Sequence, residues 1–131
     1  MRKTILTLGA TFLLALPTLD AHEGKKVYEV HREAKAVAAF EINTFCKAVM
    51  QGQLDMVKKM IQMGEDVNQK SLGKTPAHYA ARYNRPEILK LLIANGADLK
   101  KRCDMGYTVK KYAELSNAKA ALKVIKEAMR R

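Results

Sequence analysis

Apolar residues between Gly73 and Lys100 come in two groups of different texture. Ala77, Ala80 and Ala81 are small and sit three and four residues apart, so they predict a short helix that a second helix can approach closely. Thr75 is a natural N-cap for it, and Pro76 fits the first helical position, where a missing N–H costs nothing. Asn84 tolerates the left-handed conformation that ends such a helix. Pro86 and Glu87 then open a longer helix with a carboxylate at its positive end. Its broad apolar face is Ile88, Leu89, Leu91, Leu92 and Ile93, and Gly96 stops it. One helix pair of this size cannot bury both faces alone, so it predicts neighbours of the same shape.

Those neighbours are visible on either side. Asp55-Met56-Val57 repeats Glu87-Ile88-Leu89, and Gly64 to Asn68 repeats Gly96 to Lys100. In that register Asn43 takes the place of Thr75, Cys46 that of His78 and Gly52 that of Asn84. Gln69 to Leu72 connects the copies and is one residue shorter than the next connector, which predicts an imperfect hairpin there. Gly106 to Arg131 is a third copy: Thr108 keeps the cap, Val109 replaces Pro, Lys111 replaces His, and Asn117 falls on the turn. Ala121, Leu122, Ile125 and Met129 are expected to point inward from the last helix.

The T-P-x-H-x-A-A run at Thr75 to Ala81 and the E-I-x-K-L-L-x-x-x-G-A-D run at Glu87 to Asp98 resemble an ankyrin repeat closely. The resemblance spans roughly 43–131 and is strongest in the middle. It implies an all-α solenoid of about three helix–turn–helix repeats: a degenerate one over 43–72, the best match over 73–105 and a capping one over 106–131. The thin apolar stripe from Lys26 to Phe40 predicts an additional N-terminal capping helix within 22–42.

Residues 1–21 read as a signal peptide. Arg2 and Lys3 precede a mostly apolar run from Ile5 to Leu16, too short to cross a bilayer, with Pro17 as a breaker and Ala21 at the cut. The whole chain has 24 basic and 13 acidic residues, net +11. Removing Arg2, Lys3 and Asp20 leaves 24 − 2 = 22 and 13 − 1 = 12, or +10. A periplasmic or secreted basic protein follows, without stable membrane insertion once the leader is cut.

No catalytic constellation is present, and no cofactor is expected. The resemblance implies that His78 braces neighbouring repeats through backbone hydrogen bonds, while His31 falls on the leading helix as packing or surface. Cleavage after Ala21 would make His22 the terminal residue, where amine and imidazole together can chelate copper; this is a weak metal candidate, since loose termini rarely hold geometry. An exported chain with Cys46 and Cys103 invites a disulfide. The register opposes it: two helical layers separate the pair by roughly 15–20 Å, and a disulfide needs Cα atoms within about 7 Å. Two free thiols are expected, Cys46 buried and Cys103 more exposed. Met50, Met56, Met60, Met63 and Met129 fall on helices and read as core filling.

The resemblance further implies that partners are held by the connecting fingers and by the first helix of each repeat. Carried onto this chain, that concave face is Lys47, Lys74, Tyr79, Arg82, Tyr83, Tyr107, Lys110 and Tyr112, with Ser71, Leu72, Asp104 and Met105 at the fingers. Tyrosine and arginine are the types that carry interface energy, and a positive concavity steers acidic partners. The expected function is a non-enzymatic protein–protein interaction module of the bacterial periplasm, holding an acidic protein in an accessory or immunity-type role. The alternatives are carriage of a small anionic ligand such as haem in support of peroxide defence, and anionic-surface binding through net charge. The leader counts against nucleic acid as a partner.

Overall fold

The computed structural model describes residues 40–131. The signal peptide, His22, His31 and all of the expected leading helix except Phe40 lie outside them. The described residues form six helices: α1 Thr44–Gln51, α2 Leu54–Gln62, α3 Pro76–Arg82, α4 Pro86–Ala94, α5 Val109–Leu115 and α6 Lys119–Met129. They make three hairpins, α1–α2, α3–α4 and α5–α6, stacked side by side so that the middle pair touches both others.

Each first helix starts on a residue held extended by its own side chain. Asn43 Oδ1 accepts the Cys46 amide at 2.8 Å and Thr108 Oγ1 the Lys111 amide at 3.3 Å. At Thr75 the roles reverse: His78 Nδ1 accepts the Thr75 amide at 3.3 Å and lies 2.7 Å from its hydroxyl. Each first helix ends on a left-handed residue, Gly52, Asn84 or Asn117 (φ 76°, 50° and 50°). That residue turns the next amide back onto the helix, as in Arg85 N–H to Ala80 C=O at 2.8 Å and Ala118 N–H to Ala113 C=O at 2.9 Å.

The core is a thin sheet of side chains between the two helical layers. Val49, Val57, Leu89, Leu92, Val109 and Ile125 have no exposed surface, and the alanines at 80, 81, 113 and 121 let helices approach. Burying a leucine of this kind contributes about 1.5–3 kcal/mol. Polar side chains stitch the seams. Arg85 Nε donates to Met50 C=O at 3.1 Å, and Asn84 Oδ1 accepts the Ala121 amide of α6 at 3.1 Å. Asn68 spans the first seam with both ends of its amide, to Gly96 C=O at 2.9 Å and Asp98 N–H at 2.8 Å.

Three expectations are corrected here. The shorter connector closes well: Ser71 and Lys74 exchange both backbone bonds (2.9 and 3.1 Å) around a two-residue loop, Leu72-Gly73, with φ of 49° and 74°. Two consecutive left-handed residues make the mirror-type turn that matches strand twist, so the missing residue is no defect. The longer connector spends its extra residue on a loop of Asp104, Met105 and Gly106, closed by Cys103 N–H to Tyr107 C=O at 2.9 Å.

Of the helical methionines only Met60 is buried. Met50 is half-buried, and Met56, Met63 and Met129 are exposed. Met56 precedes the inward Val57 and so falls off the buried stripe. The expected inward Met129 sits on a last turn that overhangs, because α6 has eleven residues against nine in α4. Cys103 is buried at 4% exposure rather than open, since Tyr107 and Tyr112 close over the base of its finger. Both thiols are free.

Candidate partner-binding face

The two fingers are held to each other and to the helices below. Asp104 N–H donates to Gly73 C=O at 2.9 Å, and Lys70 Nζ reaches Asp104 Oδ1 at 2.7 Å. A Cβ added at Gly73 would stand 2.6 Å from that carboxylate, so glycine is required there by space as well as by φ. The second finger is anchored from beneath by His78, whose Nε2 donates to Tyr107 C=O at 3.0 Å. A carbonyl can only accept, so Nε2 carries the proton and Nδ1 is left to accept from Thr75. Burial lowers the His78 pKa; the Tyr107 bond opposes this, and Lys70 and Lys74 add to it.

The eight expected contact residues divide. Lys74, Arg82, Tyr107 and Tyr112 line one open groove of about 350 Å³ together with Met105, Leu115 and Ser116. Lys47 is exposed on α1, outside that lining, and Tyr83 is 41% exposed beside Arg82, whose guanidinium stands 5.9 Å from its ring centroid. Lys110 has its ammonium 3.9 Å from Glu114 Oε1.

Tyr79 and Tyr112 are corrected as surface contacts, being only 6% exposed each. Each lies four residues past its cap, on the side of the helix that faces its own finger. The Tyr79 hydroxyl donates to Ser71 C=O at 2.9 Å, which satisfies the polar tip of a buried ring. Burial, with nearby Cys46, Tyr83 and Tyr112, pushes its pKa up to about 12 against the opposing Arg82. Tyr112 stacks edge-on against His78 with centroids 5.2 Å apart. Tyr112 belongs to the groove lining and Tyr79 lies outside it, and neither ring projects.

What projects is a pair of repeat-related sets. Positions 72, 74, 82 and 83 of the second repeat correspond to 105, 107, 115 and 116 of the third, each 33 residues on. The groove therefore has two cations on one side, Lys74 and Arg82, and exposed apolar surface on the other, Met105 (70%), Tyr107 (39%) and Leu115 (61%). Leu115 and Ser116 were absent from the expected face. Leu115 is apolar but out of phase with the buried Val109, Tyr112 and Ala113, and that mismatch is the signal that marks it. Neither Lys74 nor Arg82 pairs with a carboxylate among the described residues. Within those residues no three His, Cys, Asp or Glu side chains are grouped to hold a metal, and no helix is long and apolar enough to cross a membrane.

The Cys103 thiol sits under this groove. Burial pushes its pKa up, but donors at the Tyr107 amide, the Tyr112 hydroxyl and the Met105 amide, with Lys74, bring it below the ordinary thiol value. Cys46 differs: burial, with Glu65 adding to it, raises its pKa to about 12.

Comparison with known proteins agrees with the stacked hairpins. A family model described as ankyrin repeats in three copies matches residues 29–128. Myotrophin of Xenopus tropicalis is 42% identical over 55 residues, 41% of this chain and 47% of that protein. Human protein phosphatase 1 regulatory subunit 27 is 40% identical over 53 residues, 40% of this chain and 34% of that protein. The chain thus spans less than half the length of either relative. The crystal structure of the human ASB11 ankyrin repeat domain superposes with a TM-score of 0.62 at 26% identity, covering 66% of this chain and 39% of that one. With paired helices and left-handed turns in three successive copies joined by two finger loops, the chain belongs to the ankyrin-repeat family, a scaffold for protein–protein interaction.

Proposed function

We propose that this chain is an exported, non-enzymatic capture module whose groove between the second and third repeats holds an acidic segment of a partner protein. Two unpaired cations facing exposed apolar side chains in one groove carry this reading. Lys74 and Arg82 offer charge to a carboxylate, and Met105, Tyr107 and Leu115 offer apolar contact beside it. Arg and Tyr in a concavity are the residues that dominate interface energy, and a cationic groove speeds encounter with an acidic partner. The human relative's name, a regulatory subunit of protein phosphatase 1, describes a protein that works by assembling with another. An accessory or immunity-type role fits such a module.

The export half rests on Arg2, Lys3, the apolar run Ile5–Leu16 and Ala21. N-terminal sequencing of the protein from fractionated cells is expected to begin at His22; an intact chain in the cytoplasm would end that half and leave the groove standing. For the groove, Lys74→Glu with Arg82→Glu is expected to lose at least about 100-fold in capture of the acidic partner from an envelope extract, with melting unchanged. Undiminished capture by that variant would move the contact elsewhere.

A further inference from the structure

The outer face of α6 carries a feature that the groove does not use. Lys119, Lys123, Lys126 and Arg130 follow one another at intervals of four, three and four. At 3.6 residues per turn they fall within an arc of roughly 60° and form a row roughly 16 Å long. All four are exposed. None pairs with a carboxylate among the described residues: the three ion pairs there are Lys70–Asp104, Lys90–Glu87 and Lys110–Glu114. Glu127, on the same helix, stands to one side of the row and reaches none of them within salt-bridge distance. Like charges at these intervals disfavour the helix that bears them. The opposite edge of the row is apolar, with Leu122 half-buried and Met129 51% exposed. The buried stripe of Ala121, Val124 and Ile125 fixes the helix against α4, so the row is rigidly aimed outward.

We propose that this ridge docks the protein onto an anionic lipid surface, with the four cations among the headgroup phosphates. A straight, one-sided row on a convex helix touches a flat surface along its whole length. The apolar edge of Leu122 and Met129 suits the boundary between headgroups and acyl chains, and a sugar–phosphate backbone offers it no counterpart. This docking is independent of the groove, because α6 supplies none of the groove residues.

The test is partition of the full chain onto vesicles of phosphatidylglycerol and phosphatidylcholine, with partition onto pure phosphatidylcholine subtracted. Binding is expected at low salt and should weaken steeply as salt rises. Lys123→Gln with Lys126→Gln is expected to reduce partition roughly 30-fold, the effect of losing two surface-bound cations. Lys58→Gln with Lys59→Gln on α2 removes the same charge elsewhere and is expected to cost only a few-fold. Equal losses in the two double variants would reduce the effect to net charge and overturn the ridge. So would a failure to bind anionic vesicles, or a duplex DNA competitor that binds more tightly than they do. Unchanged circular dichroism and melting in both variants keep the comparison free of unfolding.

Discussion

Asn84 performs two tasks that can be separated by mutation. Its backbone holds the left-handed turn between α3 and α4 (φ 50°), and its side chain accepts the Ala121 amide at 3.1 Å, satisfying an amide in the first turn of the neighbouring α6. Asn84→Ala loses both. A left-handed alanine costs about 1 kcal/mol and the lost bond to an otherwise unpaired amide about another 1, so a destabilisation of roughly 2 kcal/mol is expected. Asn84→Gly keeps the turn and loses only the bond, about 1 kcal/mol. Asn117 supplies the control. It has the same φ of 50° but no side-chain bond across a seam among the described residues, so Asn117→Ala should cost only the strain, about 1 kcal/mol. Urea unfolding followed by far-ultraviolet circular dichroism reads all three. Equal losses for Asn84→Ala and Asn117→Ala would show that the Asn84–Ala121 bond contributes nothing, and a glycine variant as weak as the alanine one would refute the strain argument.

Stability should also fall with acid through His78. Its pKa is lowered in the folded state, so the unfolded chain takes up the proton first, near pH 6.5. The stabilisation is complete above that pH and is lost as pH falls below it, by at most on the order of 1 kcal/mol between about pH 7 and about pH 5.5. Urea midpoints across that range test it, and a flat profile would contradict the effect of burial on the His78 ring. Leu72 stands exposed at φ 49° in a turn that favours asparagine, so Leu72→Asn should raise stability by about 1 kcal/mol in thermal melts. No gain would mean that the finger relaxes around the leucine.

The skeleton was legible in the sequence because it depends on local chemistry. Asn43, Thr75 and Thr108 cap helices, and Gly52, Asn84 and Asn117 turn them, through bonds within a few residues of chain. The surface was less legible because it depends on where rings point. Tyr79 and Tyr112 look like contact residues by type, yet each lies on the turn of helix that its own finger covers. Leu115 looks like core by type, yet its phase puts it outside. Cys103 was misplaced for a related reason: a finger residue is exposed only if nothing folds over the base of the loop, and Tyr107 and Tyr112 do so here. The two-residue turn at Leu72-Gly73 escaped because leucine rarely adopts that conformation.

The Tyr107 carbonyl, gripped from below by His78, belongs to a residue whose ring lines the groove above. Anything clasped in that groove therefore rests on the second and third hairpins at once and acts as a rivet through the joint between them. The first hairpin lies beyond the rivet's reach. In hydrogen exchange, a bound partner should slow amide opening in the segments from Thr75 to Arg82 and from Cys103 to Ser116, while α1 continues to fray at its free rate.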